Sequence, residues 1–162
     1  MNKIRWEIKV FKMKMIKIWC HIKAMIKKIV YKIVFGRKLQ IGKGTTWRHD
    51  FHIAIEGKGK IEIGKNCFFN NGCSLNALER VCIGEGTIFG SNSHVYDHNH
   101  RFRDESESIK EQGYSVAETV IGKHCWIGTN VVICKGVHIG DNCTIGAGVV
   151  VRENVADGSI VS

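Results

Sequence analysis

Asp97, His98 and His100 fall within the six residues VYDHNH, which begin at Val95, and the polar stretch RFRDESESIKEQGYSVAET follows at 101–119. A neutral imidazole gains and loses a proton near neutral pH, so it can take one from a hydroxyl. His100 stands last before the polar stretch, where a side chain can point outward into a cleft. It is therefore the leading candidate for a general base, with His98 as its rival. Asp97 is placed to orient an imidazole, as a carboxylate does in hydrolytic triads, or to bond its own backbone in a turn. A stretch as long as 101–119 without periodicity is unusual in a compact domain, and such loops tend to be functional.

Cysteine chemistry is a weaker prospect. The seven cysteines, at 20, 67, 73, 82, 125, 134 and 143, are odd in number and form no CxxC pair or zinc-ligand spacing. Neither a secreted disulfide framework nor a zinc site is expected, and a reducing cytoplasm is the simpler setting. The histidines at 94, 98, 100 and 138 show no spacing that makes them converge tetrahedrally, so no metal is expected. No cysteine or serine has a partner that would make it a nucleophile, which favours direct transfer over a covalent intermediate.

A repeat must position these residues. From Ile121 the chain reads IGKHCW, IGTNVV, ICKGVH, IGDNCT, IGAGVV, VRENVA in unbroken steps of six. The same phase holds in IGEGTI, FGSNSH, VYDHNH from Ile83, in IGKNCF, FNNGCS from Ile63, and in IGKGTT from Ile41. A period this short marks a β-helix. Each hexad supplies one flat side of a triangular coil, with about eighteen residues to a turn. The aliphatic first residue points inward. The fifth also points inward and must be small, which accounts for Cys67, Cys73, Thr87, Ser93, Cys125 and Cys143 as filler. Gly at the second position relieves crowding at a corner. Regularity fails at 76–80, where two residues are inserted, and at 101–119. Function in a solenoid is expected at such breaks.

The tandem [IVLF]-G-x-x-[small]-x pattern over 38–162 resembles the hexapeptide-repeat (left-handed β-helix) transferases. Within them it is similar to the galactoside and maltose acetyltransferases and closer to the polysaccharide and lipopolysaccharide O-acetyltransferases. The resemblance implies a homotrimer with sites between subunits and acetyl-CoA as acyl donor. It implies His100 as catalytic base, with Asp97 and His98 in support. Asn70, in FNNG, matches an acceptor-contacting asparagine. The aspartate that often follows it is absent, so Asn76 is the stand-in and a simple galactoside or maltose acceptor is disfavoured. WIGTN resembles the acetyl-CoA stretch, which sets Trp126, Gly128 and Thr129 along the pantetheine arm. Gly146 and Ala147 extend that track, and Arg152 is a candidate for a CoA phosphate. The closing ENVADGSIVS lacks the family's usual proline-containing turn, so the CoA end is expected to be trimmed or differently made. The implied activity is O-acetylation of a cell-envelope sugar or its precursor. Two alternatives remain on the same fold: a serine acetyltransferase, for which the N-terminal segment is too small, and a zinc-dependent relative of the γ-carbonic anhydrases.

Residues 1–38 differ sharply in charge from the rest. They hold twelve Lys or Arg and a single acid, Glu7, whereas 39–162 is net −2. Ile4, Ile8, Phe11, Met15, Ile18, Ile22, Ile26, Ile29 and Ile33 recur in steps of three and four, so a basic amphipathic helix is expected over 1–37. Such a helix suits an anionic membrane face and suits packing on its own domain or on a subunit neighbour. Nucleic acid is the remaining reading, and with no recognition motif it is not expected. Lysines interrupt every apolar run, so neither a secretory signal nor a membrane span is expected. The expected address is cytoplasmic and peripheral on the inner membrane face.

Overall fold

The computed structural model describes residues 2–162. A long helix α1 (Asn2–Phe35) and a 3-10 turn (Gly36–Lys38) lead into a parallel β-helix with three faces. The first face stacks β1 (Leu39–Ile41), β4 (Lys60–Ile63), β7 (Arg80–Ile83), β12 (Thr119–Ile121) and β15 (His138–Ile139). The second stacks β2 (Thr46–Trp47), β5 (Phe68–Phe69), β8 (Ile88–Phe89), β13 (Trp126–Ile127), β16 (Thr144–Ile145) and β18 (Ile160–Val161). The third stacks β3 (His52–Ile55), β6 (Ser74–Ala77), β9 (His94–Tyr96), β14 (Val132–Ile133) and β17 (Val150–Val151). All pairing within the faces is parallel, as the six-residue period predicts.

The two inward positions of each hexad form the core. Ile61, Phe69, Val81, Val95, Ile127, Ile133 and Ile145 are fully buried, and so are Cys73, Thr87 and Val131 at the small positions. The small residues do more than fill space. The Thr87 hydroxyl donates to Gly122 O at 2.8 Å and Ser93 to Gly128 O at 2.7 Å, both on the next coil. The thiols of Cys67, Cys73, Cys125 and Cys143 make the same reach, to Gly84, Gly90, Gly140 and Ala156 carbonyls at 3.0–3.1 Å. Where the fifth residue is Thr, Ser or Cys it therefore also donates to a corner carbonyl of the next coil, whereas Val131 fills the same slot by packing alone.

Corner glycines answer to stacking. A Cβ on Gly84 would lie 2.5 Å from the backbone of Gly122 on the next coil, so a side chain there would push the coils apart. Elsewhere the turns use Asn66, Asn92, Asn130 and Asn142 at positive φ, a conformation asparagine tolerates better than most residues.

The coil is less regular than eighteen residues per turn. Stacked residues are separated by 22 (Leu39 to Ile61), 20 (Ile61 to Val81), 38 (Val81 to Thr119) and 18 (Val120 to His138). Every extra residue falls at one corner, between the third face and the first. The excursion there is also not the unpatterned 101–119 loop. β10 (His98–His100) leaves the coil and pairs antiparallel with β11 (Tyr114–Val116), and Thr119 is already back in the core. The alternation is too short for periodicity to have revealed this hairpin.

The helix closes the open end of the first coil. Tyr31 OH donates to Phe51 O at 3.1 Å, Lys28 Nζ to Gly42 O at 3.1 Å, and Lys27 Nζ also to Phe51 O. The Tyr31 ring heads an aromatic column through Trp47, Phe51, Phe69 and Phe89 that runs into the core. Among the described residues no helix is long and apolar enough to cross a membrane.

Candidate functional site

Asp97 anchors the hairpin. It is fully buried, and its carboxylate accepts the backbone N–H groups of Leu78 (2.9 Å) and Glu79 (2.7 Å) on the coil below. Oδ1 also meets His98 Nδ1 at 2.8 Å. A carboxylate only accepts, so Nδ1 is the donor and the lone pair of a neutral His98 ring resides on Nε2. Asp97 thus closes the two-residue insertion at 78–79 and fixes the first side chain of the hairpin. The same three contacts explain why a buried acid is tolerated there.

His98 and His100 project from the same side of β10. With Tyr96 and Tyr114 they form a row of rings: Tyr96–His98 at 6.1 Å, His98–Tyr114 at 5.3 Å and Tyr114–His100 at 4.4 Å. His98 is half enclosed by this row, whereas His100 is exposed at its open end. His100 lines a cleft of about 480 Å³ together with Asn99, Arg101, Phe102, Arg103, Gln112, Ser115 and Lys135. The lining carries three cations against one acid, Asp104. Asp104 bonds Ser106 through side chain and backbone, which holds its carboxyl below the usual carboxylate range. Arg101, Arg103 and Lys135 were not singled out by sequence. Their shared location became visible only once the hairpin folded over the corner that carries Lys135.

The remaining expected residues divide between two corners. Asn76 lies on the third face beside Tyr96, and its Nδ2 donates to Ser74 Oγ at 3.1 Å. Arg152 is exposed at the same corner as the hairpin, stacked above Cys134 rather than near Gly146. Asn70, Gly128 and Gly146 stack instead in one column at the corner between the second and third faces. Gly128 fits tightly there, since a Cβ would lie 2.7 Å from Ala147 N. Thr129 and Ala147 are exposed at that corner, and Trp126 stands exposed on the second face beside it. One chain therefore brings Asp97, His98, His100, Asn76 and Arg152 toward one corner, and Asn70, Gly128, Thr129, Gly146 and Ala147 toward another, with the third face between them.

Four of the described thiols are held in the protonated form. Burial pushes Cys67, Cys73 and Cys125 up from the usual thiol range and Cys82 up to about 11, so each stays protonated near neutral pH. Among the described residues no three His, Cys, Asp or Glu side chains cluster as a metal ion would require.

Comparison with known proteins bears on the fold and on the repeat. Residues 118–153 match the bacterial transferase hexapeptide family, six repeats. The fold is shared with the hexapeptide-repeat acetyltransferase VCA0836 of Vibrio cholerae, at TM-score 0.71 and 23% identity over 85% of this chain and 74% of that one. The same protein complexed with acetyl-coenzyme A aligns at TM-score 0.60 and 25% identity, over 73% of this chain and 65% of that one. Residues 118–153 thus carry the hexapeptide repeat of bacterial transferases, and the chain shares the left-handed β-helix fold of the hexapeptide-repeat acetyltransferases.

Two sequence relatives narrow the comparison. Nodulation protein L of Rhizobium meliloti is 35% identical over 60% of this chain and 51% of its own length. WbbJ of Escherichia coli, a candidate lipopolysaccharide biosynthesis O-acetyl transferase, is 27% identical over 80% of this chain and 67% of its own length. The chain thus spans about half the length of nodulation protein L, which it matches at the higher identity.

Proposed function

We infer that the protein is an acetyl-CoA-dependent O-acetyltransferase whose acceptor is a sugar hydroxyl of a cell-envelope glycan or its precursor. The observation that carries this reading is His100, exposed on the hairpin in a basic cleft and packed at a tilt against Tyr114. His100 is the general base. It takes the acceptor O–H proton as that oxygen attacks the thioester carbonyl; the C–S bond breaks, and the proton passes from the imidazolium to the departing CoA thiolate. Asp97 and His98 hold the strand that carries His100. The acyl donor is supported by the acetyl-coenzyme A complex of VCA0836 and the glycan by the description of WbbJ. Arg101, Arg103 and Lys135 suit an anionic ligand, a CoA phosphate or an acidic sugar.

The division of the candidate residues between two corners supports assembly as a homotrimer. The His100 corner of one copy then faces the Gly128–Gly146 column of the next, where Trp126, Thr129 and Ala147 border the pantetheine arm and a backbone N–H stabilises the oxyanion. Asn70 and Asn76 are the acceptor-contacting candidates. Acetyl-CoA is a solute of the cytoplasm, and the free thiols suit that compartment. Calorimetry with acetyl-CoA, followed by thiol release with sugars, nucleotide sugars and envelope glycans, tests the reading. Binding with acceptor-dependent release supports it. A well-folded protein that binds no acetyl-CoA overturns it.

A further inference from the structure

The helix turns its apolar stripe away from its own domain. Ala24, Lys27, Lys28, Tyr31 and Phe35 face the first coil, and all five are buried or half-buried. Ile22, Ile26, Ile29 and Ile33 each lie two residues before one of these. Two steps of about 100° set them on the opposite side of the helix. They are exposed, Ile29 at 56% and Ile33 at 77%, and the stripe continues through Ile18, Met15 and Phe11, also exposed. Amphipathicity normally buries the apolar face against the core. Here the domain takes the other face, and nothing among the described residues covers the stripe.

The charge beside the stripe says what would cover it. Lys12 and Lys23 follow Phe11 and Ile22 directly and flank one side, while Lys32 precedes Ile33 and flanks the other. Trp19 lies on the first flank under the Lys23 ammonium, 5.2 Å from its ring centroid. The only acid in the whole segment is Glu7. A second or third copy would bring lysines against lysines with almost no acid to pair them. Nucleic acid would match the lysines and leave the apolar side chains in water. An anionic bilayer offers headgroup charge and an acyl interior in the order that the helix presents its lysines and its stripe.

We propose that α1 is an interfacial anchor, which docks the open end of the β-helix onto an anionic phospholipid surface through Phe11, Met15, Ile18, Ile22, Ile26, Ile29 and Ile33. Because α1 lies across the first coil, the coils then stack away from the bilayer. The hairpin, on the third coil, stands about two coil spacings of ~4.8 Å above the first. The proposal rests on the helix alone and is independent of the reaction assigned to the cleft.

The test is sedimentation of the full chain with phosphatidylcholine vesicles, with and without phosphatidylglycerol. The protein is expected to sediment with the anionic vesicles and to be released by high salt. Lys12→Glu with Lys23→Glu should weaken the partition more than tenfold, since each lysine near such a surface is worth about fivefold. Ile18→Glu with Ile29→Glu should abolish it, while circular dichroism and oligomeric mass stay unchanged. Three results overturn the proposal. One is equal sedimentation with neutral vesicles, and another is binding that survives Ile18→Glu with Ile29→Glu. The third is loss of oligomeric mass in that variant, which would assign the stripe to contact between copies.

Discussion

The small inward residues carry more of this fold than their size suggests. Thr87 both donates to Gly122 O and accepts from Cys125 N–H, at 2.8 and 3.1 Å. Thr87→Val keeps the volume and strands two buried backbone groups, so it should cost about 1–3 kcal/mol. A clear fall in melting temperature is the expected result, and an unchanged one would show that the hydroxyl is mere filler. The sequence had marked Thr87, Ser93, Cys67, Cys73, Cys125 and Cys143 as inward and small, and all six are buried. It could not show that they are donors, because the accepting carbonyl belongs to the next coil, thirteen to thirty-five positions away. Asp97 carries the same lesson. Next to His98 it read as an orienting carboxylate or a turn residue. It bonds the imidazole, and it also holds the Leu78–Glu79 corner of the coil beneath, a contact with no local signal.

At the level of elements, the strands were legible because the phase repeats at twelve or more hexads, and each inward residue packs on its equivalents. The hairpin was not, because β10 and β11 are three residues each and two-sided. Their pairing joins segments that share no periodicity. The hairpin gathers His100, Arg101, Arg103 and Gln112 over Lys135, the cleft proposed as the site. Replacing 102–112 by Asn-Gly, a two-residue turn suited to a hairpin, should leave the circular dichroism of the coil intact. Acceptor-dependent thiol release should fall at least tenfold. Retained activity would move the acceptor site away from this cleft. The helix was legible as amphipathic, but which face the domain would take was not. That choice follows from Tyr31 joining the aromatic column of Trp47, Phe51 and Phe69.

For the whole molecule, the two groups of candidate residues are separated by one face of the triangle, so a single copy does not assemble them. For the proposed homotrimer, sedimentation equilibrium should give about three times the 18.2 kDa chain mass, and activity should fall on dilution. A monomer with full activity would contradict the division of the site between copies. Most of the phase was readable from one sequence; the step VRENVA was not, since Val155 stacks on Ile139 sixteen residues back, and the contact between copies has no local motif and was implied only by resemblance.

The most direct test of the account is the rate of thiol release from acetyl-CoA by His100→Ala against the unaltered protein, with the best glycan acceptor. A general base is worth roughly 10²–10⁴-fold, and a loss in that range is predicted, with acetyl-CoA binding and the melting temperature unchanged. A loss below tenfold would contradict the assignment of His100 and turn attention to His98, whose Nε2 is already set by Asp97.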